Sequence, residues 1–188
     1  MRITGGTYRG QMLFSPPDDR IRPTSDRVRE SLFNILTHRS DIDFEQVYAL
    51  DLFCGAGTLG LEALSRGAAH VTFVDANKKS LNLTKQNAEK LKVTNQTTFT
   101  LSKADHLPQN SKSPCGLIFL DPPYHKNLAN SAILSALKKG YVSDRAVFIV
   151  EMSSKSIEPV NIPELIVDDE RKYGDTIIHI YTYQRSAA

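Results

Sequence analysis

Two short segments hold residues whose types and spacing could do chemistry. In "DLFCGAGTLG", residues 51–60, Gly55, Gly57 and Gly60 have the spacing that lets a backbone turn tightly and bring amides close to a ligand at the start of a helix. Asp75 stands twenty residues after Gly55, at the end of the next apolar run, where a carboxylate can accept hydrogen bonds from both ribose hydroxyls. Together these point to a nucleoside-containing cofactor. Asp51, just before the glycines, decides which kind. A pyrophosphate would be repelled there, whereas S-adenosylmethionine has no phosphate and carries an ammonium, for which an acid is an asset. Asp105, expected at the end of the third strand, could accept the adenine amino group.

The second segment is "LIFLDPPYHK", residues 117–126, an apolar run that ends in an acid, two prolines and a tyrosine. Pro122 and Pro123 fix φ and lack an amide hydrogen, so the backbone after Asp121 is stiff and cannot extend a sheet ladder. The Asp121 carboxylate and the Pro122 carbonyl could each accept one hydrogen of an exocyclic amine. That would aim its lone pair at an electrophilic methyl group and stabilise the charge growing on nitrogen. Tyr124 could stack on the base that carries the amine. Such a base must be flipped out or already unpaired.

The elements that must position these groups follow from periodicity. "VYALDLF", "HVTFVDA", "TTFTLSKAD", the run before Asp121 and "RAVFIVEM" read as strands. "TLGLEALSRG", "SLNLTKQNAEKLKV" and "LANSAILSALKKG" read as helices between them, the first stopped by Gly67. The tail reads as two long strands joined near Tyr173, Gly174 and Asp175. This alternation predicts an α/β fold with a doubly wound, mostly parallel seven-stranded sheet and a C-terminal antiparallel hairpin. Ligands then bind beyond the carboxyl ends of the strands, where Asp51–Gly60, Asp75, Asp105 and Asp121–Tyr124 all fall.

Before this core, residues 1–14 suggest a short appended β-hairpin. A helix follows, with Pro23, Thr24 and Ser25 as cap candidates and Val28, Leu32, Ile35 and Leu36 as its buried stripe. Residues 1–40 are therefore expected to form an extension and 41–188 the catalytic core.

With 188 residues, 40% apolar and 23% charged, the chain suits a soluble globular protein. It has neither a membrane-length apolar run nor a secretion signal, so it is expected to stay in the cytoplasm. Cys54 and Cys115 have no metal-ligand spacing, and no metal is expected. The net charge of +2 says little, but arginine is segregated: seven of eleven fall in the first forty residues, which contain no lysine. The guanidinium fork holds phosphate oxygens in pairs and stacks on bases, which hints at nucleic acid; a solvated charged face is the plain alternative.

The motifs "RPTSDRVRESLFNIL", "DLFCGAGTLGLEALSRGA", "FLDPPY" and "RKYGDT", in that order, resemble the RsmD family of bacterial Rossmann-like methyltransferases, over residues 1 to about 183. The resemblance implies methyl transfer from S-adenosylmethionine, leaving S-adenosylhomocysteine, to the N2 amine of one guanine in a loop of 16S ribosomal RNA. The RNA would be met within the small subunit or an assembly intermediate, and the enzyme would act as a monomer. Asp51, Phe53, Gly55, Gly57, Asp75, Ala76 and Asp105 are then the cofactor-binding candidates, and Asp121, Pro122, Pro123 and Tyr124 the catalytic ones. Arg9, Arg22, Arg27 and Arg29 are the candidate RNA contacts, although Asp26, Arg29 and Glu30 could instead form structural ion pairs. Cys54, Ala56, Asp75 and Ala104 depart mildly from the commoner family pattern, and Ala104 weakens the case for Asp105.

Other readings share parts of this pattern. A DNA adenine-N6 methyltransferase also uses an Asp-Pro-Pro-Tyr segment but needs a target-recognition region for which the chain has little room. Protein glutamine methyltransferases usually place asparagine where Asp121 stands. A dinucleotide-dependent oxidoreductase shares the glycine turn and Asp75 but is opposed by Asp51. A noncatalytic RNA-binding protein would not need intact candidate site residues.

Overall fold

Short apolar runs bounded by turn residues become the central strands. The computed structural model describes residues 1–16, 25–123, 128–155, 157 and 159–185. Along them lie α1 (Asp26–Thr37), β1 (Tyr48–Leu52), α2 (Thr58–Ser65), β2 (His70–Asp75), α3 (Lys78–Lys90) and a 3-10 turn (Thr94–Gln96). Then follow β3 (Thr97–Leu101), β4 (Cys115–Leu120), α4 (Ala129–Lys138), β5 (Val142–Ser153), β6 (Leu165–Tyr173) and β7 (Thr176–Tyr183). The strands form one sheet in the order β3-β2-β1-β4-β5-β7-β6, parallel through β5, with β7 antiparallel between β5 and β6. This is the expected doubly wound sheet with its terminal hairpin. The chain winds outward from β1 through β2 and β3, then returns to place β4 on the other side of β1. The crevice at that reversal is where such sheets take ligands.

Alternation along the strands divides the core in two. Ala49, Val71, Phe73, Leu117, Phe119, Val147 and Ile149 meet residues of α1, α2 and α3 on one face. Leu50, Leu52, Val74, Ile118, Leu120, Phe148 and Val150 meet α4 on the other. By the same alternation Asp51, Asp75 and Glu151 belong to the first face, and so does Asp121, which continues β4 by one residue.

Several details depart from expectation. The N-terminal hairpin is a turn with one bridge, Arg2 opposite Met12, and it is not an appendage: Ile3 and Leu13 are buried in the first core with Leu32, Phe33 and Leu36. Ser25 caps α1 by accepting from the Val28 amide at 3.3 Å, whereas Pro23 and Thr24 lie outside the described residues. The buried stripe of α1 is Arg29, Leu32, Phe33 and Leu36, and Val28 and Ile35 sit half-buried at its margins. α3 starts earlier than its apolar stripe suggests because Asn77 accepts from the Lys79 amide at 2.9 Å. β3 is an edge strand that stops at Leu101, so Asp105 is in the following loop and not at a strand end.

Candidate active site

The glycine turn is held from three sides. Past β1, Phe53 takes φ +61°, a left-handed backbone strained for an aromatic residue, and Gly55 (+56°) and Gly57 (+77°) follow in the same region. Asp75 fixes the turn from β2: one carboxylate oxygen accepts from the Gly55 amide at 2.9 Å and the other from the Asn77 amide at 2.7 Å. From α3, Thr84 donates to the Gly55 carbonyl at 2.8 Å, and the Asn87 amide group donates to the Ala56 carbonyl at 3.0 Å. Thr84 and Asn87 were not singled out as functional from the sequence. The signal was there, as polar side chains on the buried face of α3 have to bond something.

Asp51 is only 3% exposed, and its carboxylate accepts from the Gly60 amide at 2.9 Å, inside the first turn of α2. Burial pushes its carboxyl up to about 7; the Asp75 charge adds to the rise and the Gly60 hydrogen bond opposes it. Such a group is poised to receive a cation. Gly60 is glycine because a Cβ there would come within 2.4 Å of the Phe73 ring and 2.8 Å of Val71. α2 therefore packs directly on β2 and carries its N-terminus to the Asp51 carboxylate.

Asp121 follows β4 immediately and is half-buried, with Pro122 buried and Pro123 exposed. Burial raises its carboxyl well above the usual range, and the charges of Glu151 and Asp51 raise it further. Ordered by strand, Asp75, Asp51, Asp121 and Glu151 come from the adjacent strand ends of β2, β1, β4 and β5, on one face. The structure thus brings together the Asp51, Asp75 and Asp121 proposed from sequence and adds Glu151, which went unmarked as one acid in an apolar strand. Tyr124 lies outside the described residues.

The remaining cofactor candidates are placed less centrally. Phe53 is half-buried against the second core, and Ala76 is exposed beyond β2. Asp105 sits in a loop folded back by the Ser102 hydroxyl, which donates to the His106 carbonyl at 2.7 Å. Its carboxylate lies 3.0 Å from His106 Nδ1, and that hydrogen bond lowers its pKa. Both thiols are pushed up by burial, Cys115 to about 12 and Cys54 well above the usual thiol range, so neither is a nucleophile. Among the described residues no group of three or more His, Cys, Asp or Glu side chains is arranged to hold a metal.

Of the RNA candidates, Arg9 and Arg27 are exposed, and Arg27 lines an open depression along α1 with Glu30, Ser31, Asn34, Ile35 and His38. Arg22 lies outside the described residues. Arg29 requires a correction: it is completely buried, pairs with Asp26 at 2.8 Å and Glu62 at 3.4 Å, and donates to the Arg2 carbonyl. It is structural, and the ion-pair alternative was the right one for it. Its partner Glu62, an acid of α2 that the sequence reading passed over, also accepts from the Thr4 amide and hydroxyl and the Gly5 amide, each at 2.8 Å, and from Arg66 at 3.0 Å. The N-terminal segment is thereby fastened to the helix that starts at the glycine turn. At the other end, the turn at Gly174 (φ +61°) is tied to α1 through Tyr173, whose hydroxyl lies 2.9 Å from that of Ser31.

Comparison with known proteins places this arrangement. A sequence model of the family described as Conserved hypothetical protein 95 matches residues 1–182. The chain is 36% identical over 170 residues to ribosomal RNA small subunit methyltransferase D of Haemophilus influenzae, covering 87% of this chain and 83% of that one. It is 33% identical over 187 residues to the protein of the same name in Escherichia coli, covering 100% and 91%. Among solved structures, an Escherichia coli protein provisionally named as a methyltransferase superposes with a TM-score of 0.83 at 31% identity over 98% of each chain.

Proposed function

The chain belongs to the Conserved hypothetical protein 95 family, and from that premise we propose that it methylates the N2 amine of a guanine in small-subunit ribosomal RNA. The observation that carries this reading is the row of acids on one face of the sheet, with Asp121 held next to a Pro-Pro segment and Asp51 buried at the start of α2.

The residues fit S-adenosylmethionine. When bound, it supplies a methyl group activated on a sulfonium. Asp51 is a buried carboxylate whose raised pKa a neighbouring ammonium would reverse, and the row of acids is hostile to a pyrophosphate. Asp75 can turn its carboxylate from the Gly55 and Asn77 amides towards ribose hydroxyls, with Phe53, Gly55, Gly57 and Ala76 forming the neighbouring backbone. Asp105 would meet the adenine amine on leaving His106.

The amine of guanine is a poor nucleophile because its lone pair is delocalised into the ring. Asp121 accepts one amine hydrogen and the Pro122 carbonyl the other, which turns the lone pair out of conjugation and stabilises charge developing on nitrogen. Because its environment favours protonation, Asp121 is also a competent acceptor for the proton the amine sheds. Tyr124 stacks on the base, and Arg9, Arg22 and Arg27 hold phosphates around it. The enzyme works in the cytoplasm as a monomer on 16S RNA within the small subunit or an assembly intermediate. Among the described residues no helix is long and apolar enough to cross a membrane.

The test is nucleoside mass spectrometry of ribosomal RNA from cells with and without the gene. Loss of a single N2-methylguanosine, restored by adding purified protein and S-adenosylmethionine to the unmodified RNA or subunit, supports the reading. An unchanged modification pattern refutes it.

A further inference from the structure

β5 ends in "FIVEMS", where one acid stands in an apolar run. Glu151 is 5% exposed, with Val150 and Met152 beside it in a buried run, and desolvating a carboxylate there is costly. The register says what this position faces. Phe119 pairs with Ile149 and Leu120 with Val150, so the next step of the parallel ladder sets Glu151 beside Asp121, about 4.8 Å away from strand to strand. Alternation sends both side chains to the same face, and each lies within reach of the other's charge. On the opposite flank the partner of Glu151 on β7 is Ile178, which is apolar and buried.

We propose that Glu151 is the residue that selects guanine, by accepting its N1–H while Asp121 and the Pro122 carbonyl hold its N2 amine. This rests on the function proposed above and extends it. Among the four standard bases only guanine shows two adjacent donor groups, N1–H and N2–H, on its pairing edge, and an ionised carboxylate accepts only. Two acids side by side, one just past β4 and one near the end of β5, are held ionised by the donors of the bound base and then form a row of acceptors that matches that edge. Adenine would turn an N1 lone pair against Glu151, and an enclosed acceptor facing an acceptor is strongly rejected.

The experiment replaces the target guanosine, in the RNA or subunit that supports turnover, with 2,6-diaminopurine riboside. That base keeps the N2 amine but presents an acceptor at N1. Wild-type protein is expected to favour guanosine by about 100-fold or more in kcat/KM. Glu151→Gln places a donor beside N1 and is expected to shrink that preference at least about tenfold, with cofactor affinity within about threefold of wild type. Parallel loss of turnover on both bases, or undiminished preference for guanosine, would overturn the proposal. The wild-type comparison decides even if the variant does not fold, because equal kcat/KM on the two bases also overturns it. Failure of the parent reading looks different: wild-type protein would then methylate neither base at N2.

Discussion

Asp51 and Gly60 face each other across the first turn of α2, the carboxylate accepting the glycine amide at 2.9 Å. The contact requires a helix that lies close to the sheet, and Gly60 permits this by leaving Phe73 and Val71 no Cβ to avoid. The end of the helix that would ordinarily be offered to a phosphate is already occupied by an anion of the protein itself. A ligand seated at this helix end has that buried carboxylate beneath it, and a cationic group is the one it favours.

With Asp51 against the ammonium of the cofactor, as proposed, its carboxylate makes cofactor binding depend on pH. Its pKa of about 7 in the free protein falls when an ammonium pairs with it, so binding releases a proton. The cofactor is therefore expected to bind about tenfold more weakly at pH 6 than at pH 8, measured by calorimetry in buffers of different ionisation enthalpy. Asp51→Asn should flatten this dependence and weaken binding throughout. The sign for folding is opposite. A carboxyl raised from 3.8 to about 7 leaves the native state holding the extra proton, so its contribution to stability falls as pH rises through that window.

Gly60→Ala tests the close approach of helix and sheet. The new methyl would come within 2.4 Å of the Phe73 ring, and overpacking of this kind costs about 1–3 kcal/mol. Urea unfolding should show the loss as a lower midpoint. Phe73→Leu in the same chain should return part of it, and a Gly60→Ala variant as stable as wild type would contradict the packing described.

The arginines of α1 should separate into two kinds. Removing Arg29 takes from buried Glu62 one of its two guanidinium partners and leaves Asp26 only the exposed Arg2, and Arg29→Ala is expected to cost about 3–5 kcal/mol in unfolding free energy. Arg27 is exposed, so Arg27→Ala should change stability by no more than about 0.5 kcal/mol. It should, however, reduce the slope of log affinity for RNA against log salt by about 1. Filter binding over a salt series, with thermal melts of the same samples, distinguishes the two. A salt slope altered by Arg29→Ala in protein that remains folded would restore Arg29 as an RNA contact.

The sequence showed the fold well where strands are buried on both faces, because β1, β4 and most of β5 are unbroken apolar runs between turn residues. It misled at the sheet edge. β3 is made largely of threonines, and nothing in its pattern marks Leu101 as the last paired residue, so Asp105 seemed to end a strand. Arg29 was legible and was misjudged: it precedes Leu32, Phe33 and Leu36 at helical spacing, which puts it on the buried face, but its charge argued for the surface. Glu62 and Glu151 are harder. A single acid inside an apolar helix or strand has a periodicity that says only that it is buried, and what it meets comes from as far as Thr4, 58 residues away, for Glu62 and from the neighbouring strand for Glu151.

The Asp121 substitutions bear most directly on the chemistry. Asp121→Asn keeps size and one acceptor oxygen but removes the negative charge next to the nitrogen that becomes positive, and removing one such stabilising group commonly costs about 100- to 1,000-fold in kcat. Asp121→Ala removes the acceptor as well and should abolish detectable methylation. Neither change touches the Asp75 and Gly60 contacts around the glycine turn, so S-adenosylhomocysteine affinity should stay within a few-fold of wild type. Burial and the charges of Glu151 and Asp51 disfavour the ionised form of Asp121, so its removal should leave the folded protein as stable as before, with any gain growing as pH rises. Single-turnover methyl transfer with a matched binding isotherm separates these effects. Full turnover in Asp121→Ala would remove the carboxylate from the mechanism, whereas lost binding with an intact rate at saturation would move it to the cofactor pocket.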